Sequence, residues 1–267
     1  MKVLFFGDTF GRPGREAIKV AIAKLVPAHQ IDFVIVNGEN FAHGNGILPE
    51  MAEEFIAMGV DVITTGNHAW DQRQIIPYMS TTTRVLRPAN YPDHPSFKAP
   101  GRGVTVVESR RRSHLRLGVI QVMGRVFMDS LDCPFRVAEK EVNRLDDLGI
   151  QCILIDFHGE ASSEKQAFAH FMDGKVSAVL GTHSHVQTAD ERILQGGTAA
   201  ITDVGMSGCF DSVIGVKKEV SIQKFLTKRP MRFEPAEGPG GYGAVILEID
   251  DQTGKSLSIL RLRETVI

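Results

Sequence analysis

Seven side chains with ligand chemistry recur at one kind of place along the chain. Asp8 follows the apolar run Lys2–Gly7, and Glu39 and Asn40 follow Phe33–Val36. Asn67 and His68 follow Asp61–Thr65, His158 follows Cys152–Phe157, and His183 and His185 follow Ala178–Gly181. Each run reads as a strand, and the ends of strands in open α/β sheets are where ligands bind. Carboxylates, amide oxygens and imidazoles are hard-to-borderline donors that suit Mn, Fe, Zn or Co better than Ca. Asp8, Glu39, Asn40, Asn67, His158, His183 and His185 are too many for one four-coordinate ion but suit two cations with open positions. Glu39 is the natural bridge, since one carboxylate offers two oxygens and screens two cations from each other. Such pairs activate water and clamp phosphoryl oxygens. Taken singly, Asp8 could cap the next helix, Asn67 could form a turn, and a lone His is usually a surface or core residue. Their joint recurrence after five strands favours metal.

Such scattered residues meet only if the elements bring them together. Pro13 suits a first helical position, and Ile18, Ala21, Ile22 and Leu25 recur at helical spacing. A second helix is expected from about Pro49 to Met58, closing at Gly59. This β-α-β-α-β start argues for a parallel sheet covered by helices on both faces. Further strands are expected at Val104–Glu108, Leu115–Met123, Thr198–Asp203, Tyr242–Ile249 and Ser256–Leu262. Helices are expected near Phe135–Leu148, Ser163–Phe171 and Lys217–Phe225, with a hairpin turn at Asp250–Gly254. Arg87–Gly103, with four prolines, reads as a long loop. No repeat or convincing linker interrupts the pattern, so one domain over residues 1–267 is expected.

Composition narrows the class. Of 267 residues 43% are hydrophobic and 23% charged, an ordinary globular mixture that excludes disorder and collagen-like repeats. Thirty Lys and Arg against 32 Asp and Glu leave a formal charge of −2, so no global field draws the chain to nucleic acid or anionic membrane. Neither a membrane association nor stable nucleic-acid binding is expected; a homo-oligomer is left open. The apolar runs are far below the ~20 residues of a membrane span. Asp8 stands where a signal peptide would continue its apolar stretch, and Cys133, Cys152 and Cys209 form no C-x-x-C pair. A cytoplasmic location is expected.

The order Asp8, Gly38-Glu39-Asn40, Gly66-Asn67-His68, His158 and Gly181-Thr182-His183-Ser184-His185 resembles the calcineurin-like metallophosphoesterases. Those enzymes use D-x-H, G-D, G-N-H, a lone His and G-H-x-H. Here Phe10 replaces the first His and Glu39 the usual bridging Asp. Both departures look like the YmdB-like branch, as do Gly124–Met128, Asp156–Lys165, Val186–Asp190 and Thr202–Met206. The resemblance implies a four-layer α/β/β/α sandwich of two facing mixed sheets flanked by helices. It implies a metal-dependent phosphodiesterase acting on cyclic nucleotides, 2′,3′-cyclic ones included. By the same resemblance Asp8, Glu39, Asn40 and His185 hold one ion, and Glu39, Asn67, His158 and His183 the other. Fe or Mn is favoured over Zn or Co, and His68 resembles the proton donor. Two divalent cations against two carboxylates leave a net positive site that suits an anionic diester, and an alkoxide leaving group needs a proton that a general acid supplies.

Two other functions compete. Gly7, Gly11 and Gly14, with Glu39 after the second strand, suggest a dinucleotide fold, although the spacing is G-x-x-x-G-x-x-G and four histidines go unexplained. A regulatory protein could keep the pocket as a metal and phosphate sensor without turnover. Gly205-Met206-Ser207-Gly208-Cys209 lacks the last Gly of a nucleophile elbow, which leaves Ser207 as a loop residue near the pocket. Arg110-Arg111-Arg112 reads as a solvated hairpin, Arg125 as a residue of the pocket rim, and Phe10 as packing near the metals or the base.

Overall fold

Alternation along the strands decides the layering. Val3 and Phe5 of the first strand face one core, while Leu4 and Phe6 face another. The computed structural model describes residues 1–94 and 96–266, so Pro95 of the long loop lies outside the described residues. In chain order its first half runs β1 (Lys2–Phe6), β2 (Asp8–Thr9), α1 (Gly11–His29), β3 (Phe33–Asn37), α2 (Pro49–Ala57), β4 (Val62–Thr64), α3 (Ile75–Thr81), β5 (Val104–Glu108) and β6 (Arg116–Met123). The second half runs α4 (Pro134–Asp147), β7 (Ile153–His158), α5 (Ser162–Met172), β8 (Ala178–Thr182), β9 (Arg192–Ile193), β10 (Ala199–Ile201), β11 (Met206–Cys209), α6 (Lys218–Thr227), β12 (Gly240–Ile249) and β13 (Ser256–Thr265).

Two mixed sheets face each other. One has the order β2-β11-β12-β1-β3-β4 with β13 added on β12, and the other β5-β6-β7-β8-β10-β9. Between them lie Phe5, Phe33, Ile35, Leu117, Leu154, Leu180 and Leu247, drawn from both sheets. Ile18, Ile22, Leu25 and Phe55 of α1 and α2 cover the outer face of the first sheet. Ala138, Val142 and Leu145 of α4 and Phe168 of α5 cover that of the second. The result is the four-layer α/β/β/α sandwich that the resemblance implied.

The residue pattern alone had suggested a sheet with helices on both faces, and this is corrected. Each sheet has helices on one face only. An apolar strand reads the same whether a helix or a second sheet covers it. The parallel pairing β1–β3–β4 is present, but β12 and β13 close the same sheet antiparallel.

Glycines 7 and 14 also have a fold-level explanation. A Cβ on Gly7 would overlap the carbonyl of Gly205, and one on Gly14 that of Ser207. They let β1 and α1 lie against the backbone around β11, so the glycine pattern answers to packing and not to a pyrophosphate. The arginine run does sit in the β5–β6 turn, but it is not simply solvated. Arg111 and Arg112 pair with the buried carboxylate of Asp32, at 3.0 and 2.5 Å, and Arg110 approaches Asp61 at 3.5 Å. Ser207 is not a loop residue either. It lies buried inside β11, and its hydroxyl finds no hydrogen-bond partner among the described residues.

Candidate metal centre

Parallel pairing aligns strand ends. β1, β3 and β4 run parallel in one sheet, and β6, β7 and β8 in the other. Residues that leave these strands at their C-terminal ends therefore gather along two facing edges. His158 is the last residue of β7 and not the first after it, so the ladder itself fixes its backbone. Asp8 lies in β2, paired with Met206 of β11. Its carboxylate Oδ2 accepts the backbone N–H of His183 from the opposite sheet at 2.9 Å.

The seven candidate ligands converge in two groups that share one residue. Around His158 Nε2 lie Asn67 Oδ1 at 3.0 Å, His183 Nδ1 at 3.0 Å and Glu39 Oε2 at 3.2 Å. Asp8, Glu39 and His185 bring one ligand atom each to within 4.8 Å of one another, as do Glu39, His158 and His183. Asn40 Oδ1 joins the first of these sets, 3.2 Å from His185 Nε2. Phe10 packs edge-on against the His185 ring, with centroids 5.6 Å apart.

In each histidine one ring nitrogen is engaged away from the centre. His158 Nδ1 is 2.9 Å from the Thr182 hydroxyl, His185 Nδ1 2.8 Å from the Ile214 carbonyl, and His183 Nε2 3.1 Å from Glu160. Acceptors there hold the ring proton on those nitrogens through hydrogen bonds and leave the lone pair of the other nitrogen facing inward. Backbone strain serves the same end, because His183 and His185 hold φ of 102° and 63°.

The electrostatics are those of a site that wants cations. Burial pushes the Asp8 carboxyl up against the pull of His185 and His158. Burial would also raise Glu39, but His158, His68 and His183 outweigh it and bring it down to about 2. His158 moves to about 9, because Glu39, Asp8 and Asp156 overcome its own burial, whereas burial and the charge of His158 drive His183 to about 3. Asp8 Oδ1 is buried with no hydrogen-bond donor among the described residues, an expensive state for a carboxylate oxygen. A Cβ on Gly66 would overlap Glu39 Oε2 and His158 Nε2, so only glycine leaves that space open. The donor set, the unpartnered oxygen and the glycine cradle all fit divalent metal ions.

His68 stands at the wall of the same cavity, of about 350 Å³, that Glu39, His183 and His185 line. Its Nδ1 is 2.8 Å from Asp71, which orients the ring and was not anticipated. An Asp three residues after G-N-H in a turn was the available signal. Beneath the centre, Asp156 accepts from Thr182 at 2.7 Å, Asn37 at 3.0 Å and Thr64 at 2.5 Å, and burial lifts it to about 6. A second buried pair, Lys165 and Asp203 at 2.6 Å, holds the Thr182 carbonyl and the Ser184 N–H. Charges inside the apolar runs around Asp156 and Asp203 were the signal for these supports. Arg125 does not line the cavity. It is exposed, and its backbone N–H donates to Glu164.

A family model described as "YmdB-like protein" matches residues 4–262. The chain is 43% identical over 262 residues to a Bacillus subtilis protein named 2′,3′-cyclic-nucleotide 2′-phosphodiesterase, covering 98% of this chain and 96% of that one. It is similar to the crystal structure of a Mycoplasma pneumoniae protein described as a novel phosphatase, with a TM-score of 0.90 and 34% identity, covering 99% of this chain and 93% of that one. A Thermus thermophilus 5′-nucleotidase precursor shares the fold, with a TM-score of 0.60 at 13% identity over 99% of this chain and 54% of that one.

Proposed function

The chain belongs to the YmdB-like family, and from that premise we propose that it is a binuclear-metal phosphodiesterase that opens cyclic nucleotides. The coarser statement, a phosphoesterase hydrolase that uses divalent metal, rests on the relatives together with the donor groups. The observation that carries the finer one is Glu39, whose carboxylate belongs to both ligand groups and lines the cavity beside His68.

Asp8, Glu39, Asn40 and His185 would hold one ion, and Glu39, Asn67, His158 and His183 the other. Fe or Mn bound there would make water a stronger nucleophile and offset charge on the phosphoryl oxygens. The reaction adds water to phosphorus, breaks one P–O bond to the ribose and leaves a nucleoside monophosphate. The departing ribose oxygen needs a proton. His68, held through Nδ1 by Asp71, has Nε2 left to deliver it. Both 2′,3′-cyclic and 3′,5′-cyclic diesters present this group, and the relative's name favours the former.

The test is a substrate panel on protein reconstituted with Mn or Fe, accompanied by metal analysis. Hydrolysis of 2′,3′-cyclic nucleotides, abolished by chelation and restored by metal, with close to two ions per chain, is expected. Fully loaded protein that turns over no diester would instead mark a metal and phosphate sensor.

A further inference from the structure

The cavity above the ligand groups does not end at the reacting phosphate. At about 350 Å³ it lies at the small end of the ~300–1,000 Å³ range of small-molecule sites. It runs into an open groove of about 740 Å³, with His43, Asn45, Phe233, Glu234 and Pro235 common to both. The groove adds Arg232 and Gln72. Nothing in the phosphoryl chemistry uses this second space.

Its composition is specific. Phe233 is 51% exposed where it lines the groove, and Lys224 Nζ lies 3.9 Å from its centroid. The cation anchors the ring as a platform. Arg232, just before it in sequence, is exposed and makes no ion pair or side-chain hydrogen bond within contact distance among the described residues, although, after Lys217, its charge helps to lower the Glu234 carboxyl. The acidic neighbour Glu234 is already paired with Lys217 at 2.8 Å, which lessens its repulsion of an anion. An anchored aromatic ring beside a free guanidinium is the combination that binds single-stranded nucleic acid, since every base has a face to stack and every linkage carries a phosphate.

We propose that this groove takes the 3′ end of a short RNA strand bearing a terminal 2′,3′-cyclic phosphate. Phe233 stacks a base, and Arg232 pairs with the phosphate on the 5′ side of the terminal nucleotide. The proposal rests on the phosphodiesterase reading and leaves its chemistry unchanged. Water enters at the terminal phosphorus, and the ring oxygen departs with a proton. A cyclic mononucleotide lacks the 5′-phosphodiester and so cannot use Arg232 as the strand does. Stacking tolerates any base, so the preference is for length rather than sequence. A local guanidinium also explains how a chain of net charge −2 accommodates an RNA end, because the interaction is confined to the groove.

The experiment compares kcat/KM of the Mn-loaded full chain on three substrates: a trinucleotide ending in 2′,3′-cyclic phosphate, a 2′,3′-cyclic mononucleotide, and methyl nitrophenyl phosphate. The wild type should prefer the trinucleotide over the mononucleotide by about tenfold, mainly through KM, with the preference shrinking as salt rises. Arg232→Gln should erase that ratio, and Arg232→Lys should restore part of it. Phe233→Ala should lower the ratio of either nucleotide to the nitrophenyl ester by about tenfold, and Phe233→Trp should recover it. Equal wild-type kcat/KM on trinucleotide and mononucleotide, or a ratio that Arg232→Gln does not move, overturns the groove assignment while the phosphodiesterase reading stands. Failure of the loaded wild type on all three substrates overturns both.

Discussion

At the scale of single residues, Glu39 and His68 carry different burdens in one cavity. Glu39 belongs to both ligand groups, so Glu39→Gln keeps the shape and loses the charge that screens two cations. Metal content measured by mass spectrometry should fall for both ions, whereas Asn40→Ala should mainly weaken one. Full occupancy in Glu39→Gln would refute the bridge. Among the described residues the His68 side chain hydrogen-bonds to Asp71 and to no candidate ligand, and only its backbone N–H approaches Glu39, at 3.5 Å. His68→Ala should keep its metals and lose ~10²–10⁴-fold in turnover of a cyclic nucleotide, the usual worth of a general acid. The loss on a nitrophenyl diester should be smaller, because nitrophenolate leaves unprotonated. Equal losses on both substrates would assign His68 to charge stabilisation. Asp71→Asn should show the same substrate dependence, in weaker form.

At the scale of elements, β7 and β8 do more than deliver His158 and His183. Asp156 on β7 accepts a hydrogen bond from the Thr182 hydroxyl, so the Thr182 oxygen is left to accept from His158 Nδ1 across the ladder. Thr182→Val removes that acceptor and frees the ring to take the wrong tautomer. Metal affinity, read by calorimetric titration, should drop ~10–100-fold, and Thr182→Ser should restore it. An unchanged affinity in Thr182→Val would assign the hydroxyl to packing. The strands that bear the ligands were legible because each is an apolar run closed by a polar residue. α3 was not, since seven residues with Pro77 and hydroxyl side chains show no helical stripe. β2, β9 and β11 were missed for a related reason. Two to four residues are too few for a pattern, and their pairing partners lie far along the chain. Ligand identities could be read from residue type and place. Asp71, Thr182 and Lys165 left only faint signals, because what makes them matter is the neighbour each meets in space.

At the scale of the whole molecule, Asp32 joins the two sheets. It precedes β3 of one and receives Arg111 and Arg112 from the β5–β6 turn of the other, along with the Lys2 backbone N–H. Burial would raise its carboxyl, but Arg112, Lys2 and Arg111 hold it below the ordinary 3.8. A depressed carboxylate stabilises the fold above its unfolded pKa and loses that contribution as pH falls through the folded value. Asp32→Asn should therefore cost about 1.5–3 kcal/mol, the usual worth of hydrogen bonds to a charged group, across pH 5–8. The gap to wild type should close below pH 4, as read from denaturant midpoints. A gap independent of pH would show that the carboxylate's charge is not what matters. The first sheet has a further consequence, for the order of events at synthesis. β1 is flanked by β3 and by β12, and the terminal amine of Met1 donates to the carbonyl of Ile249, 248 residues away. Asp8 likewise sits in a strand whose partner is β11. Until β11 and β12 have been made, β1 is paired on one side only and Asp8 lacks its strand partner, although the backbone N–H of His183 can already reach its carboxylate. The strand that carries Asp8 is therefore completed by partners made about two hundred residues later, and cation capture at full strength should follow the making of β11 and β12 rather than of the ligands themselves.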